Sequence, residues 1–179
     1  MGLLIQNALT VTMDRAGGMG PRSVLVEGER IARVSARPIR PRPVDRVIRG
    51  EGRLLIPGLF NCHVHGDMTL ARGLGDGYTL YQQDHDSPVS RRHWFREELD
   101  REARRLSRLL QYAEAARGGV TYVCDVPFWW EDAGELAGPI EEIGLRAAVV
   151  LDYRSDFLEG DARDRERYLR QARELADRG

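Results

Sequence analysis

The sequence predicts an α/β protein in which a small β unit precedes alternating strands and helices. Two observations carry this prediction. Residues 1–54 contain apolar and β-branched runs that are bounded by Gly and Pro and show no helical spacing. From residue 55 onward, strand-like runs alternate with segments of helical spacing, which is the pattern of parallel βα units. We therefore divide the chain into a β unit at 1–54 and a βα unit at 55–179.

The N-terminal unit is predicted to be a small antiparallel sheet. Its first strand is expected at 3–12, which is rich in branched and apolar residues. The run at 23–34 predicts a hairpin, because two strand-like halves flank Gly28 and glycine supplies the turn backbone. Three prolines within 37–43 predict an exposed loop.

The C-terminal unit is predicted to follow the order β, long loop, α, β, α, β, α. The first helix carries apolar residues at 95, 99, 103, 106, 110 and 113, with charged residues opposite, and Gly118-Gly119 ends it. The later elements are a strand at 120–126, a helix-like segment at 131–144 that Gly138-Pro139 interrupts, a strand at 145–153 and a helix at 161–179.

The composition predicts a packed core and excludes lysine chemistry. Hydrophobic residues make up 42% of the chain, and 27 basic residues against 28 acidic ones give a net charge of −1. That balance gives no reason to expect nucleic acid or an acidic membrane as a partner. Every basic residue is Arg, so the chain offers no Schiff-base lysine, lysine general base or carbamylated-lysine metal bridge.

The cysteines and the apolar runs indicate the compartment. Cys62 and Cys124 lie in strand-like runs, so we expect two buried, reduced thiols and no disulfide. The N-terminus lacks the basic and long apolar regions of a signal peptide, and no apolar run approaches the ~20 residues of a membrane span. We therefore expect a soluble cytoplasmic protein.

The stretch LIPGLFNCHVHGD, residues 55–67, places two histidines behind a Pro-Gly break in an apolar run. Side chains alternate across a strand, so the polar residues would share one face and the apolar residues the other if the strand extends as far as residue 67. A parallel sheet is usually apolar on both faces, so inward imidazoles need a function or a partner. The polar set is Asn61, His63, His65 and Asp67, and the apolar set is Phe60, Cys62 and Val64.

Two imidazoles at the end of one strand can chelate a divalent ion. Zn²⁺ binds histidine nitrogen at ~2.0–2.1 Å, and catalytic zinc sites generally have three protein ligands and a water. A His-x-His pair alone is also typical of structural histidines. The placement of His63 and His65 favours metal binding, because βα folds build their sites at the C-terminal ends of strands.

Residues 52–76, GRLLIPGLFNCHVHGDMTLARGLGD, resemble the amidohydrolase superfamily, and most closely its branch of metal-dependent deaminases and chlorohydrolases. They carry the Pro-Gly break, Asn61, the His63 and His65 pair, and the Met-Thr-Leu and Arg-Gly-Leu triplets of that pattern. The resemblance continues through LLIQNALTVTMD, VLVEGERIARV, GGVTYVCD and EEIGLRAAVVLDY, and so covers essentially the whole chain.

The resemblance implies both a fold and a chemistry. The fold is a set of N-terminal β-sandwich strands followed by the first three or so βα units of a (β/α)₈ TIM-type barrel, left incomplete. The chemistry is hydrolysis of non-peptide carbon–nitrogen bonds, such as deamination of a purine, pyrimidine or triazine by hydroxide that a metal generates. His63 and His65 would bind Zn²⁺ or Fe²⁺, and Asp67 would face the small-molecule substrate.

The other metal ligands and the proton-transfer groups of such enzymes come from later strands, so no catalytic residue is identifiable here. A (β/α)₈ barrel takes ~250 residues, and 55–179 is about half that length. Among the remaining candidates, we expect Asp125 to be a structural carboxylate that accepts backbone N–H groups. The aromatic run at 128–130 is equally consistent with a substrate roof and with core packing, and His85 and His93 are expected to be solvated.

Three hypotheses follow. The chain is the N-terminal part of a metal-dependent amidohydrolase, is truncated and inactive alone, and needs a downstream segment or a complementing chain. Alternatively, it is a non-catalytic fragment or subunit that associates through its open barrel edges. A third hypothesis, a metal-binding protein without turnover, is disfavoured because two histidines are a small ligand set.

Overall fold

The computed structural model describes residues 2–43, 45–79, 82–83, 98–128, 132–151 and 162–178. The chain divides into two compact units, Met1–Pro57 and Gly58–Gly179. The predicted mixture of strands and helices is confirmed: the described residues of the first unit form strands, and those of the second form alternating strands and helices.

The described residues of the first unit form a five-stranded sheet in which β1 is central. β2 pairs with β1 and β3 with β2 in antiparallel fashion, and the predicted hairpin at Gly28 is confirmed, with a φ of 57° there. The prediction of a purely antiparallel unit is wrong, because β4 and β5 both run parallel to β1. The strands are β1 (Gly2–Val11), β2 (Met19–Glu27), β3 (Arg30–Ser35), β4 (Arg46–Arg49) and β5 (Leu54–Leu55).

The parallel pairing follows from the path of the proline-rich segment. Residues 37–43 are exposed except for Ile39, which is buried and whose carbonyl accepts a 2.8 Å hydrogen bond from Gln6 Nε2. This anchored crossover returns the chain to the free side of β1 in the same direction, and a crossover gives parallel strands where a tight turn gives antiparallel ones.

Within the described residues, the second unit contains a three-stranded parallel sheet in the order β6-β7-β8. The buried centre of its core consists of Tyr112, Ala115 and Val123, against which Ile140 and Leu145 pack. The elements are β6 (Leu59–Val64), a 3₁₀ helix (Gly66–Ala71), α1 (Arg101–Arg117), β7 (Val120–Asp125), α2 (Ala133–Ile143), β8 (Arg146–Val149) and α3 (Ala162–Ala176).

Helix α1 buries a different face from the one predicted. Leu106 and Leu110 are 49% and 41% exposed, whereas Ser107, Arg108 and Tyr112 are fully buried. The predicted apolar stripe is therefore wrong as a core face at Leu106 and Leu110, because the buried polar side chains of α1 find charged and backbone partners beneath the helix. Leu99 of the stripe is buried, and position 95 lies outside the described residues. The predicted end is confirmed, since the helix stops at Arg117 before the two glycines.

Two further predictions are corrected. Helix α2 runs through Pro139, because burial of its neighbours Leu136 and Ala137 outweighs the loss of one backbone hydrogen bond. Both cysteines are free thiols, but the prediction that they are buried is wrong, since Cys62 is exposed and Cys124 is half-buried. Within the described part of the chain, no helix combines the length and apolarity needed to cross a membrane.

Candidate metal centre

The candidate site lies where β6 ends. The ladder with β7 pairs Asn61 with Val123 and Val64 with Asp125, so three steps along β6 match two along β7. This is a β-bulge, a feature that re-aims side chains. Paired residues point to the same face of a sheet, so Asn61 and Val64 lie on one face. In a regular strand, residues three positions apart would lie on opposite faces. The predicted face shared by Asn61 and the histidines is therefore interrupted.

His63 and His65 nevertheless converge beyond the bulge. Their Nε2 atoms are 3.1 Å apart and the ring planes meet at 88°. Asn61 Oδ1 accepts the backbone N–H of His63 at 3.2 Å. This hydrogen bond lies within the bulge, between Asn61 and Val64. The sequence predicted the pair, and the structure brings its two nitrogens together.

His65 is oriented by the segment that follows β7. Its Nδ1 lies 2.6 Å from the carbonyl oxygen of Val126, and its ring stacks on Phe128 with centroids 4.3 Å apart. A carbonyl can only accept, so Nδ1 carries the proton and Nε2 carries the lone pair. This contact is the kind of outer partner that fixes a metal-ligating histidine in the ligating tautomer.

The geometry fits a divalent cation. In the absence of metal, His63 Nε2–H can donate to the His65 Nε2 lone pair; with His63 in its other tautomer, both Nε2 atoms carry a lone pair. Two nitrogens 3.1 Å apart can both lie ~2.0–2.1 Å from a single ion. No third His, Cys, Asp or Glu joins them into a metal-binding group among the residues that the structure describes.

Asp67 lies in the 3₁₀ helix, because β6 ends three residues earlier, at Val64. The side chain is 1% exposed. Its Oδ2 accepts the backbone N–H of Phe128 at 2.8 Å and lies 3.5 Å from Arg108 Nη2. Asp67 thus holds the aromatic residue that stacks on His65.

A buried charged cluster lies beneath the 3₁₀ helix. Arg108 is fully buried between Asp67 and Glu135, with its Nη1 3.0 Å from Glu135 Oε1. Arg104 Nε donates to the same oxygen at 2.7 Å. Buried arginine and carboxylate groups need such pairing, because an unpaired charge in the interior is costly.

Asp125 is confirmed as a carboxylate that accepts a backbone N–H. Its Oδ1 accepts the Gly66 N–H at 3.0 Å, and its Oδ2 accepts the hydroxyl of Tyr112. Burial raises the pKa of Tyr112 well above its usual range, and the neighbouring Asp125 carboxylate raises it further. Ser107 Oγ donates to the Gly66 carbonyl at 2.9 Å, so both sides of this residue are held.

Sequence reasoning missed the contribution of α1. Residues 104, 108 and 112 recur every four positions and so lie on one helix face, but the periodicity predicts that the charged residues of α1 lie opposite the core. His85, His93, Trp129 and Trp130 lie outside the described residues, so the expectations for them stay predictions.

The fold and the histidine pair define a class of protein. A His-x-His pair at the end of a parallel strand, in a sheet flanked by helices, is the arrangement of the amidohydrolase superfamily implied by the motif. Deaminases of similar sequence confirm this resemblance, and the chain is related to the deaminase and chlorohydrolase branch of that superfamily. No family model matches the sequence.

Two curated relatives carry the relationship. The chain is 34% identical over 168 residues to 5'-deoxyadenosine deaminase of Methanothermobacter thermautotrophicus, covering 90% of this chain and 37% of that enzyme. It is 31% identical over 179 residues to 5-methylthioadenosine/S-adenosylhomocysteine deaminase of Thermoanaerobacter pseudethanolicus, covering 98% and 38%. The chain thus spans little more than a third of the length of these relatives.

Solved structures show the same fold. A triazine hydrolase from Arthrobacter aurescens superposes with a TM-score of 0.72 at 21% identity, covering 98% of this chain and 42% of that one. An atrazine chlorohydrolase from Arthrobacter aurescens TC1, complexed with zinc and atraton, gives a TM-score of 0.71 at 21% identity, covering 83% and 35%.

Proposed function

We propose that this chain supplies two ligands, His63 and His65, to the divalent metal site of a hydrolase that acts on non-peptide carbon–nitrogen bonds. The observation that carries the proposal is the convergence of the two Nε2 atoms 3.1 Å apart at the end of β6. The reaction is deamination of a cyclic amidine such as a purine, pyrimidine or triazine. The named activities of the curated relatives support this substrate class.

The two histidines would hold Zn²⁺, with Fe²⁺ as the alternative. A bound cation of this kind supplies a water molecule whose pKa is lowered toward ~7. The chain's own part is to orient the ligands: the Val126 carbonyl fixes the tautomer of His65, and Phe128 covers one face of its ring.

Asp67 was expected to face the substrate. Its burial and its contacts with Phe128 and Arg108 favour an orienting role over a direct substrate contact. We therefore propose that Asp67 acts on the substrate pocket through the position of Phe128.

The three parallel strands are proposed to be the first strands of a (β/α)₈ barrel, and the sheet of the first unit part of a β-sandwich. The TM-score of 0.72 to a triazine hydrolase supports this assignment. Two histidines make an incomplete metal site, so we propose that the isolated 179-residue chain has no catalytic turnover. We also propose that the protein is cytoplasmic. The remaining ligands would come from further sequence or from a complementing chain.

A chimaera tests the function. The matching segment of the Methanothermobacter deaminase is replaced by this chain, and ammonia release from 5'-deoxyadenosine is measured with added Zn²⁺. We expect turnover by the chimaera, none by the isolated chain, and none after the double substitution His63→Ala/His65→Ala. The matched control is His85→Ala. Turnover that survives the double substitution in a folded chimaera contradicts the proposal.

A second candidate function, association through open sheet edges, is favoured by a specific observation. Within the described residues, β6 and β8 each pair on one side only. Phe60 of β6 is 69% exposed. Unpaired edges beside exposed apolar side chains favour pairing with a second chain.

A further inference from the structure

We propose that Asp125 is a positioning residue for the His63 and His65 pair, acting through the backbone amide of Gly66. The inference rests on the proposed metal site but concerns a residue to which that proposal gives no role. Asp125 is the last residue of β7, and Gly66 directly follows His65.

The segment 125–128 holds the segment 64–67 at every residue. Val126 N–H donates to the Val64 carbonyl at 2.8 Å, and the Val126 carbonyl receives His65 Nδ1 at 2.6 Å. The other two contacts join Asp125 Oδ1 to Gly66 N–H at 3.0 Å and Asp67 Oδ2 to Phe128 N–H at 2.8 Å. Two of these links are made by carboxylates, one from each segment.

The Asp125 link holds the backbone amide that directly follows the ligand His65. Its carboxylate is 1% exposed and is held from its other oxygen by the fully buried Tyr112. A hydrogen bond to a carboxylate is stronger than one between neutral groups, and burial strengthens it further. Loss of this hydrogen bond would therefore release the peptide that joins His65 to Gly66. The His65 ring would then be free to move away from the Val126 carbonyl.

The close approach at Gly66 supports this reading. A Cβ added there would meet Asp125 Oδ2 at 2.7 Å and Tyr112 Oη at 3.3 Å. Only glycine allows the carboxylate to reach the backbone at this position. The space beside the Gly66 backbone therefore holds the Asp125 carboxylate and leaves no room for a side chain on residue 66.

The first test needs no substitution. Long-range ¹H–¹⁵N NMR of the 179-residue chain reports the ring tautomers, and amide exchange reports the Gly66 N–H. We expect His65 to be protonated on Nδ1, and the Gly66 amide to be protected from exchange. A Gly66 amide that exchanges as fast as an exposed one overturns the proposal.

The second test uses matched variants and Zn²⁺ alone as the probe. We expect Asp125→Ala to weaken Zn²⁺ binding by about 10–100-fold and to mix the His65 tautomers, as loss of an outer partner does. Asp125→Asn keeps an acceptor oxygen toward Gly66 and should restore both. The control Val123→Ala creates a cavity on the same strand and should leave tautomer and affinity unchanged.

The outcomes separate this inference from the proposed function. If wild-type chain binds Zn²⁺ through its two histidines but Asp125→Ala and Gly66→Ala change neither affinity nor tautomer, the positioning role is wrong and the metal site stands. If Zn²⁺ does not bind, the tautomer of His65 in Asp125→Ala still decides the positioning role. Equal effects of Asp125→Ala and Val123→Ala on the tautomer would show a merely structural carboxylate and overturn the proposal.

Discussion

Arg108 is the residue on which the layer beneath the candidate site depends most. It is fully buried and links Asp67 of the 3₁₀ helix to Glu135 of α2. Replacing every member of a buried ionic cluster by apolar residues can leave stability unchanged, but removing one member alone leaves the remaining buried charges with fewer partners.

Substitution of Arg108 by Met is expected to lower the free energy of unfolding by about 3–5 kcal/mol, because two buried carboxylates lose a partner. The matched control is Arg105→Met, whose ion pair with Glu142 is exposed. It should cost less than about 1 kcal/mol. Urea denaturation of both variants measures the difference. Equal losses would contradict the importance assigned to Arg108.

Tyr112 predicts a dependence of stability on alkaline pH. Burial first, and the Asp125 carboxylate second, raise the pKa of its hydroxyl in the folded state. The raised pKa contributes its full stabilisation below pH ~10, which is the pKa of tyrosine in the unfolded chain. This contribution to the free energy of unfolding is lost as the pH rises above that value. The chain has no lysine to titrate in the same range.

The free energy of unfolding is therefore expected to fall above pH ~10 in the wild type and less steeply in Tyr112→Phe. At neutral pH that variant should already lose about 1–3 kcal/mol, since a buried carboxylate oxygen loses its donor. Denaturation series at several pH values measure both effects. The control is Tyr78→Phe, at an exposed tyrosine, and a slope equal to wild type in Tyr112→Phe would refute the assignment.

At the scale of elements, α2 depends on its N-terminal cap. Asp132 Oδ1 accepts the Glu135 N–H at 2.9 Å, and its other oxygen pairs with Arg101 at 2.7 Å. Partial burial raises the pKa of Asp132, but the Glu135 N–H and the Arg101 guanidinium outweigh this and lower it overall. The cap also positions Glu135 beneath Arg108.

Asp132→Ala is expected to cost about 1 kcal/mol at neutral pH, and Asp132→Asn much less, because asparagine also caps helices. The carboxylate contributes above its unfolded pKa, and its contribution is lost as the pH falls through the lower folded pKa. The gap between wild type and Asp132→Ala should therefore narrow in acid. Thermal melts between neutral and acidic pH measure it, and a gap that widens in acid rejects this cap.

The elements show what the sequence could and could not predict. Strand and helix order follow from local periodicity, and the end of α1 follows from its glycines. The bulge before Val64 could not be predicted, because it depends on the register with β7. The inward face of α1 was misjudged for a similar reason, since Arg108 and Tyr112 are stable inside only where Asp67, Glu135 and Asp125 meet them.

For the site, the sequence predicted the convergent histidines and the structural carboxylate of Asp125. It could not predict the Val126 carbonyl or the Phe128 ring beside His65, because both are brought there by the β6 and β7 pairing. It also placed Asp67 on the histidine face on the condition that the strand reaches residue 67, whereas the strand ends at Val64 and Asp67 is buried in the interior.

At the scale of the whole molecule, exposed apolar surface predicts association. Phe60 of β6 packs against Tyr122 of β7 with ring centroids 5.3 Å apart, yet remains 69% exposed. Within the described sheet of the second unit, β6 and β8 are edge strands. Monomeric proteins rarely leave such edges and patches uncovered.

Sedimentation velocity is expected to show species heavier than the 20.3 kDa chain, in proportions that rise with concentration. Phe60→Asp should shift the distribution toward monomer, because it places a charge on the exposed apolar face. Ala116→Asp, an equal charge on the exposed side of α1, is the control. A wild type that stays monomeric at all concentrations argues against association through these strands.

The central claim is that His63 and His65 together hold a divalent cation, and Zn²⁺ titration calorimetry of the 179-residue chain tests it most directly. We predict weak Zn²⁺ binding in the wild type, because two histidines are a small ligand set, no measurable binding in His63→Ala/His65→Ala, and wild-type binding in the controls His85→Ala and His93→Ala. Zn²⁺ binding of equal affinity and stoichiometry in the His63→Ala/His65→Ala variant would contradict the claim.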